Sequence, residues 1–237
     1  MLVSFLVPVY SEVESLRQTV ALIDQECAAW EREILLLVHG KSGPACLALC
    51  AELAAENPRV RFHVQERYPG QGYAFREGFA LARGTHFLMM NADLETDPRH
   101  APNLIRAMEA GGADLVVGSR WMRGGAIDVK GYGPGRVAVA YAFQTIFGRL
   151  FHTEISDLTF CFKIGTRELF ESIAWTGTGH DLAMETTVRP IALGRRVIQI
   201  PTVWVARSEG TSNQPFLRNF RHAKLAVEIL LTQRAAP

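Results

Sequence analysis

The sequence predicts an α/β domain with a mostly parallel, doubly wound sheet and a helical extension at its C-terminal end. Three observations support this fold class. Apolar segments of strand length alternate with amphipathic helical segments over the first half of the chain, and the connections between them are short. The 237 residues, of which 48% are hydrophobic, are enough for one large domain of this kind. We therefore expect a single domain.

The first half is expected to hold five strands with helices between them. The strands are predicted at residues 2–9, 34–38, 60–64, 85–90 and 113–117, and the helices at residues 12–30, 44–56, 73–82 and 97–110. The second strand consists almost entirely of Ile, Leu and Val, as expected for a strand buried on both faces. Pro44 stands at an early position of the second helix, and Asn57-Pro58 ends that helix.

The alternation changes after Gly118. Residues 122–135 are rich in glycine and are predicted to form a mobile loop inside the same domain, because no separate sheet follows them. A helix, a short strand at residues 159–164, two further helices, a strand at residues 195–205 and a helix at residues 216–231 are expected after this loop.

The composition gives no sign of a nucleic-acid or membrane-spanning protein. Lys and Arg number 25 against 24 Asp and Glu, so the net charge is +1 and any anion site must be built locally. No apolar stretch is long enough to span a membrane, and the N-terminus lacks the basic region and cleavage site of a signal peptide. We therefore expect a cytoplasmic domain.

The four cysteines are too few and too scattered for a disulfide framework. Cys46 and Cys50 would share one helical face and could in principle bind a metal. No further paired His or Cys residues complete such a site, so we interpret both as small buried side chains.

Ligands of open α/β sheets bind at the carboxyl ends of the strands, so the residues that follow each strand are candidates for the site. Tyr10 and Glu12 follow the first strand and could stack on and hydrogen-bond a nucleoside. An alternative is that Ser11 caps the first helix and forms a capping box with Glu14. The residues alone leave both interpretations open.

The fourth strand is followed by Asn91-Ala-Asp93-Leu-Glu95, which presents several oxygen ligands close together. Such ligands suit Mg²⁺ or Mn²⁺, which keep coordination positions open for phosphate oxygens. Alternatively, Asp93 and Asp97 only cap the next helix. Because Asp97 stands directly before Pro98 and already serves as that cap, we expect Asp93 to be functional.

Three arginines stand at the ends of elements next to loops, namely Arg120, Arg136 and Arg207. A guanidinium group is planar and suits phosphate recognition. The alternative is that they are ordinary surface residues. In a chain of almost no net charge, we interpret them as a distributed clamp for an anion.

These motifs, in this order, resemble the family 2 glycosyltransferases and, within them, the dolichol-phosphate mannosyltransferase-like branch of polyprenyl-phosphate sugar transferases. The matching stretches lie between residues 3 and 213 and are PVYSEVESL, GQGYAFREGFALARG, MNADLETDP, LVVGSRW, DLTFCFKIGTRELF, METTVRPIALGRRVIQIP and VARSEGTSN. The resemblance implies a GT-A fold, a nucleoside-diphosphate sugar donor of the GDP-mannose or UDP-glucose type, Mg²⁺ or Mn²⁺, and a polyprenyl phosphate as acceptor at the membrane surface.

The resemblance also implies roles for particular residues. By position, Pro8, Tyr10 and Glu12 would contact the nucleoside, and Asn91, Asp93 and Glu95 would form the metal and diphosphate site. Arg120 and Arg136 would bind phosphates of donor and acceptor. Arg207 would reach the diphosphate. Glu185 matches the acidic residue before the late helix. The single domain would then comprise a nucleotide-binding half at residues 1–118, an acceptor-side half at residues 119–213 and a C-terminal helix at residues 214–237.

Four positions depart from the family pattern. Val38-His39 replaces an Asp-Asp pair of which the first reads the base, and Asn91 replaces the first Asp of the Asp-x-Asp motif. Phe160-Cys-Phe162 replaces Ser-Gly-Phe, and Ser212-Asn213 replaces Ser-Lys. The metal site thus loses one negative charge, and His39 is a candidate to replace the lost base-reading carboxylate.

The expected reaction is an inverting transfer in which a cation at Asp93, with Arg120 and Arg207, neutralises the leaving diphosphate. A lipid phosphate acceptor is already anionic and needs no base, whereas a hydroxyl acceptor would need Asp181 or Glu185. The basic, apolar-faced final helix could rest on an anionic membrane.

Two other functions compete with this one. One is a non-catalytic nucleotide-binding or partner-binding module. The other is a nucleotidyltransferase, for which a Gly-rich signature with a Lys would be expected after the first strand, where PVYSEVES stands instead.

Overall fold

A computed structural model describes residues 1–65, 70–207 and 218–234. Its strands are β1 (Leu2–Val9), β2 (Glu31–Val38), β3 (Val60–Val64), β4 (His86–Met89), β5 (Leu115–Ser119), β6 (Ala126–Ile127), β7 (Lys163–Thr166), β8 (Val197–Pro201) and β9 (Val203–Trp204). Its helices are α1 (Glu14–Glu26), α2 (Pro44–Glu56), α3 (Gln71–Leu81), α4 (Ala101–Glu109), α5 (Val129–Tyr132), α6 (Pro134–Leu150), α7 (Arg167–Ser172), α8 (Asp181–Ala192) and α9 (Arg218–Arg234), and a 3₁₀ turn at Pro98–His100 precedes α4.

Within the described residues, seven strands form the central sheet in the order β3-β2-β1-β4-β7-β5-β8. All neighbours are parallel except β7, which is antiparallel to both β4 and β5. The chain winds outward from β1 to β3 and then returns to place β4 on the other side of β1. The carboxyl ends of β1 and β4 therefore meet at the point where the winding reverses, which is where open α/β sheets bind ligands. The predicted fold class is confirmed.

Helices cover both faces of the sheet. The side chains of β2 alternate between the two cores: Leu36 packs with α1, α2 and α4, whereas Leu35 and Leu37 pack with α3, α7 and α8. This agrees with the prediction of a strand buried on both faces. A third apolar cluster joins α6, α8 and α9, and it includes Phe147, Met184 and, from α9, Ile229.

The start of α1 differs from the alternative in which Ser11 caps it. The helix begins at Glu14, and its N-cap residue is Val13, whose side chain makes no capping hydrogen bond. The carboxylate of Glu12 instead turns back and accepts hydrogen bonds from the backbone N–H groups of Tyr10 and Ser11, at 2.7 and 3.0 Å. Glu12 therefore stabilises the turn that follows β1, and the alternative in which Ser11 and Glu14 form a capping box is wrong.

The glycine-rich segment is more ordered than the predicted loop. It contains β6, which pairs with β9, and α5, whose N-terminus is capped by the carboxylate of Asp128. Pro134 is the first residue of α6, directly after Gly133 with φ 90°. The predicted strand at residues 195–205 is likewise two strands, because the chain turns at Thr202 and β9 leaves the central sheet to pair with β6.

All four cysteines are buried and none forms a disulfide, in agreement with the interpretation of Cys46 and Cys50 as small buried side chains. Over the described part of the chain, no helix has the length and apolar character needed to cross a membrane.

Candidate functional site

A turn at residues 91–95, which we call the acidic turn, follows β4 at the carboxyl edge of the sheet. Asp93 is 4% exposed, and its Oδ1 accepts a hydrogen bond from the N–H of Glu95 at 3.1 Å. Leu94, between these two residues, has φ 58°, a left-handed conformation that costs a residue with a Cβ about 1 kcal/mol or more. The strained turn brings the carboxylates of Asp93 and Glu95 to the same side.

Arg207 binds both carboxylates of this turn. Its Nη2 lies 3.1 Å from Asp93 Oδ2 and 2.6 Å from Glu95 Oε1, and its Nε donates to Glu95 Oε1 at 2.8 Å. Trp204 donates from its indole N–H to the other oxygen of Glu95, at 3.1 Å. The backbone N–H of Val205 also donates to the carbonyl of Glu95, so the chain after β9 is fixed against the turn.

The electrostatics of the turn favour a bound cation. Burial raises the pKa of Asp93 to about 7, and the charge of Glu95 acts in the same direction, while Arg207 opposes both. Two carboxylates held together in this way are more stable as anions when a positive charge lies between them. In the structure the guanidinium group of Arg207 provides that charge.

Asn91 completes the turn with an amide oxygen. Its Oδ1 accepts a hydrogen bond from Gln71 Nε2 at 2.8 Å, which links the turn to the first residue of α3. The Oε1 atom of Gln71 is buried and has no hydrogen-bond partner among the described residues. Gln71 was not singled out from the sequence, although it lies in the GQG run.

The residues of this turn fit a divalent cation that shares its coordination with a substrate. The carboxylates of Asp93 and Glu95 both contact Nη2 of Arg207, and a metal ion would be attracted to the same position between them. Among the described residues no three acidic, His or Cys side chains gather closely enough to hold a metal by themselves. Mg²⁺ commonly binds through one or two carboxylates and completes its shell with water and phosphate oxygens.

A half-exposed aromatic residue lies at the end of β1, beside the end of β2. Tyr10 is 50% exposed, and its ring meets the ring of His39 edge-on, with 4.8 Å between the centroids. The N–H of His39 donates to the carbonyl of Val9, which holds the two strand ends together. Pro8 lies within β1, opposite Leu37, and is partly buried.

The predicted arginine clamp is wrong in its central member. Arg120 is 8% exposed and forms a bidentate ion pair with Asp157, with Nε 2.7 Å from Oδ2 and Nη2 2.9 Å from Oδ1. Its guanidinium group also lies 4.3 Å from the centre of the Phe160 ring. Arg120 is therefore occupied in the interior, where a fully enclosed carboxylate needs it. Arg207 is bound to the acidic turn, and Arg136 is exposed near the start of α6.

The predicted base Glu185 is also a buried structural residue. Its carboxylate is fully enclosed and accepts hydrogen bonds from the N–H groups of Thr176 and Gly177 and from Arg189. These bonds fix the loop before α8, so Glu185 is not positioned to take a proton from a substrate. Asp181 remains as the candidate base, because it lies at the start of α8 and borders a cavity.

This cavity has a volume of about 260 Å³ and lies between the start of α3, the loop before α8 and α9. It is lined by Gly70, Gln71, Tyr73, Thr178, Gly179, His180, Asp181 and Arg221. Gly72 allows α3 to approach the loop closely, because a Cβ there would stand 2.5 Å from the carbonyl carbon of Thr178. Gln71 joins the cavity to the acidic turn, so the two form one site. Sequence reasoning missed Tyr73 and Arg221, and no local pattern distinguishes them.

Sheet order and the placement of the acidic turn define an α/β protein of the GT-A type. The chain is similar to the crystal structure of glucosyl-3-phosphoglycerate synthase from Mycobacterium tuberculosis in complex with Mn²⁺, uridine diphosphate and phosphoglyceric acid. The TM-score is 0.71 at 18% sequence identity, and the match covers 99% of this chain and 79% of that chain. At this identity the similarity shows the fold alone.

Residues 4–174 match the family model described as Glycosyl transferase family 2, and the chain belongs to that family. It is 31% identical over 215 residues to polyprenol monophosphomannose synthase of Mycolicibacterium smegmatis, and the alignment covers 87% of this chain and 78% of that protein. It is 28% identical over 213 residues to undecaprenyl-phosphate mannosyltransferase of Micrococcus luteus, with 87% and 85% covered. The predicted family and branch are confirmed, and the chain is a glycosyltransferase.

Proposed function

We propose that the chain transfers a sugar from a nucleoside-diphosphate donor to a polyprenyl phosphate, with inversion and with Mg²⁺ or Mn²⁺. The observation that carries this proposal lies at the ligand-binding edge of the sheet, where the carboxylates of Asp93 and Glu95 both contact the guanidinium group of Arg207. The names of the mannosyltransferase relatives support the acceptor class. GDP-mannose and UDP-glucose are the two donor types that the family resemblance implies.

Asp93 and Glu95 would hold the divalent cation, with the amide oxygen of Asn91 nearby. When bound, the cation supplies positive charge that stabilises the leaving diphosphate. Arg207 would then no longer be needed between the two carboxylates, and its guanidinium group would be available to the diphosphate oxygens. Both positive groups act on the charge that develops as the bond to the sugar breaks.

The acceptor determines whether a base is required. A polyprenyl phosphate already carries the negative oxygen that attacks the sugar, so proton removal is unnecessary. A hydroxyl acceptor would require a base, and Asp181 is the carboxylate that borders the cavity. Its Oδ1 accepts a hydrogen bond from the N–H of Gly179 at 2.7 Å, which fixes its direction.

Contact with a membrane surface is part of the same proposal. The inner face of α9 is occupied, because Leu225, Ala226 and Ile229 are buried against α6 and α8. Six of the exposed large apolar side chains lie on α6 and the outer face of α9, namely Val139, Tyr141, Ile146, Leu150, Val227 and Leu231. With Arg136 and Arg149 also exposed on α6, this surface suits an anionic lipid headgroup layer.

Two measurements test the proposal. Calorimetry with nucleoside diphosphates, with and without Mn²⁺, should give metal-dependent binding of at least one nucleotide. With the sugar form of that nucleotide as donor, labelled sugar should be transferred to undecaprenyl phosphate in vesicles. The absence of binding by every nucleotide would remove the catalytic proposal.

Asp93→Asn should reduce transfer at least a hundredfold, because the principal cation ligand loses its charge. Asp97→Asn is the matched control, since Asp97 caps the 3₁₀ turn through the N–H of Arg99 and is not part of the acidic turn. Equal activity of the two variants would contradict the assignment of Asp93.

One observation favours the second candidate, a nucleotide-binding module without catalysis. Asn91 removes one carboxylate from the turn, and Arg207 neutralises part of the remaining charge. This candidate predicts nucleotide binding without Mn²⁺ dependence and without sugar transfer, so the same two measurements separate it from the enzyme.

A further inference from the structure

Trp204 lies on β9 beside the acidic turn and is 6% exposed. Its indole N–H donates to Glu95 Oε2 at 3.1 Å, whereas Arg207 binds the other oxygen, Oε1, from Nη2 at 2.6 Å and from Nε at 2.8 Å. The two oxygens of Glu95 therefore have different partners, and only the partner of Oε1 carries a charge that a metal ion could replace. The inference that follows rests on the proposed use of a divalent cation.

The backbone around Trp204 is fixed against the same turn. Thr96 and Trp204 form an isolated antiparallel β-bridge, and the N–H of Val205 donates to the carbonyl of Glu95 at 3.0 Å. The backbone of Glu95 and the residue that binds its Oε2 atom thus belong to one hydrogen-bonded frame. The indole N–H is therefore presented to the carboxylate from a fixed direction.

The indole ring also packs against α5. The ring of Tyr132 meets it edge-on, with 4.9 Å between the centroids and 90° between the ring planes. Gly131, in the same helix, lies so close to Ala206 that an added Cβ would stand 2.3 Å from the Cβ of that residue. The helix α5 therefore supports the segment that runs from Trp204 to Arg207.

We propose that Trp204 is a positioning residue for the cation site. Glu95 Oε1 and Asp93 Oδ2 face the same nitrogen of Arg207, at 2.6 and 3.1 Å. Because the indole N–H holds Oε2, Oε1 keeps this direction when a divalent cation takes the place of the guanidinium group. Carboxylates that bind metals are commonly oriented by hydrogen bonds of this kind. A neutral donor suits the role, since it adds no positive charge that would repel the cation.

Electron paramagnetic resonance of free Mn²⁺, with the protein alone and with UDP or GDP present, tests the inference. Trp204→Phe keeps an aromatic ring and loses the N–H donor, and it should bind Mn²⁺ about tenfold more weakly than wild type. Trp30→Phe is the matched control, because Trp30 donates to Glu109 at the end of α4 at 2.9 Å, outside the acidic turn. An equal or higher Mn²⁺ affinity in Trp204→Phe would overturn the inference.

A double-mutant cycle separates positioning of Glu95 from general support of the fold. If Trp204 acts through Glu95, Trp204→Phe should weaken Mn²⁺ binding in the wild-type background and have no further effect in Glu95→Ala. A general loss of support would weaken Mn²⁺ binding by the same factor in both backgrounds. That second result would contradict the inference even if Trp204→Phe alone bound Mn²⁺ weakly.

Nuclear magnetic resonance of the indole N–H groups provides a check that requires no metal and no activity. Glu95→Ala should shift the signal of Trp204 and leave that of Trp30 in place, because only Trp204 loses its acceptor. Glu109→Ala should have the reverse effect. An unchanged Trp204 signal in Glu95→Ala would refute the hydrogen bond on which the inference depends.

The same measurements distinguish failure of the inference from failure of the proposed function. Mn²⁺ binding by wild type with equal binding by Trp204→Phe would remove the positioning role alone. The absence of Mn²⁺ binding by wild type, with and without nucleotide, would remove both the positioning role and the proposed use of a divalent cation.

Discussion

Arg207 is the residue through which the acidic turn and the chain after β9 are connected. Its guanidinium group satisfies two carboxylates that would otherwise repel each other, with 2.6 and 3.1 Å between Nη2 and their oxygens. A cation that binds Asp93 and Glu95 must therefore compete with Arg207 when no nucleotide is present. Arg207 would thus take the place of the proposed metal ion when that ion is not bound.

Arg207→Met should tighten Mn²⁺ binding about tenfold in the absence of nucleotide, since both carboxylates lose their internal counter-ion. The same variant should bind a nucleoside diphosphate more weakly, because one phosphate partner is missing. Electron paramagnetic resonance of free Mn²⁺ measures the first effect, and calorimetry measures the second. Arg17→Met serves as control, because Arg17 pairs with Glu52 on an exposed surface. Unchanged Mn²⁺ affinity would show that Arg207 does not compete.

Lys163 is a buried cation that the catalytic proposal does not use. It is fully enclosed, and its Nζ donates to the carbonyl of Ala183 and to the hydroxyl of Thr187, both at 2.6 Å. Burial lowers the pKa of Lys163 from 10.5 to about 8. Lys163 connects β7 to α8 and forms no ion pair with a carboxylate in the described part of the chain.

The stability of the protein should therefore depend on pH through Lys163. Between pH 8 and 10.5 the unfolded chain retains the proton that the folded chain has lost, so the free energy of unfolding rises with pH in that window. Lys163→Met removes this contribution. Relative to wild type, the variant should become less stable between pH 7.5 and 10 by about 2 kcal/mol. Urea denaturation of both proteins at pH 7.5 and pH 10 measures this difference. If the free energies of unfolding of the two proteins changed equally with pH, the lowered pKa of Lys163 would be refuted.

At the scale of elements, the close approach of α3 to the loop before α8 builds the cavity. Gly72 permits this approach, because an added Cβ would lie 2.5 Å from the carbonyl carbon of Thr178 and 2.7 Å from the N of Gly179. Both contacts are with backbone, which cannot move aside as a flexible side chain can.

Gly72→Ala should lower the stability by about 1–3 kcal/mol and reduce transfer activity, because α3 must move away from the loop. Gly135→Ala is the matched control. Gly135 lies in the first turn of α6 with nothing within 4 Å of an added Cβ, and Ala there should leave stability unchanged or raise it slightly. Thermal unfolding and the transfer assay measure the two effects. A Gly72→Ala protein with wild-type stability would contradict this account of the cavity.

Sequence reasoning succeeded where the signal is local. The five strands of the first half, the burial of β2 on both faces and the cap formed by Asp97 follow from apolar runs and capping residues. The position of Asp93 after a buried strand, where it is not needed as a cap, is likewise a local signal, but its role in the site stays a prediction. Those features depend only on neighbours in the chain.

Two of the failures, Arg120 and β6, concern partners that are distant in the sequence. Arg120 was expected at the substrate, but its partner Asp157 lies 37 residues further along and no local pattern reveals it. The two-residue strand β6 depends on β9, which is more than 70 residues away. Glu185 was expected as a base because its type is acidic, whereas its enclosure follows from the loop that it binds. Charge type predicts chemistry, but only packing decides whether the group is accessible.

At the scale of the whole molecule, a net charge of +1 gives no general attraction to an anionic membrane. The proposed membrane association would then depend on the local surface of α6 and α9. Val139, Ile146 and Leu150 lie seven and four residues apart on α6, so they share one side of that helix.

Ile146→Glu should weaken binding to anionic vesicles severalfold without a loss of thermal stability, because Ile146 is 55% exposed. Leu193→Glu is the control, since Leu193 is similarly exposed but belongs to the C-terminal end of α8 and not to α6 or α9. Co-sedimentation with vesicles that contain phosphatidylglycerol measures the difference. Equal binding by wild type and Ile146→Glu would remove the proposed contact of α6 with the membrane.

The antiparallel strand β7 has a consequence for how the chain folds during synthesis. It inserts between β4 and β5, and these two strands make no pairing with each other. Until residues 163–166 leave the ribosome, the edge of β4 is open and β5 has no neighbour in the sheet. The first half of the chain therefore cannot complete its own sheet, and during that interval the open edge of β4 is a site for wrong pairing and aggregation.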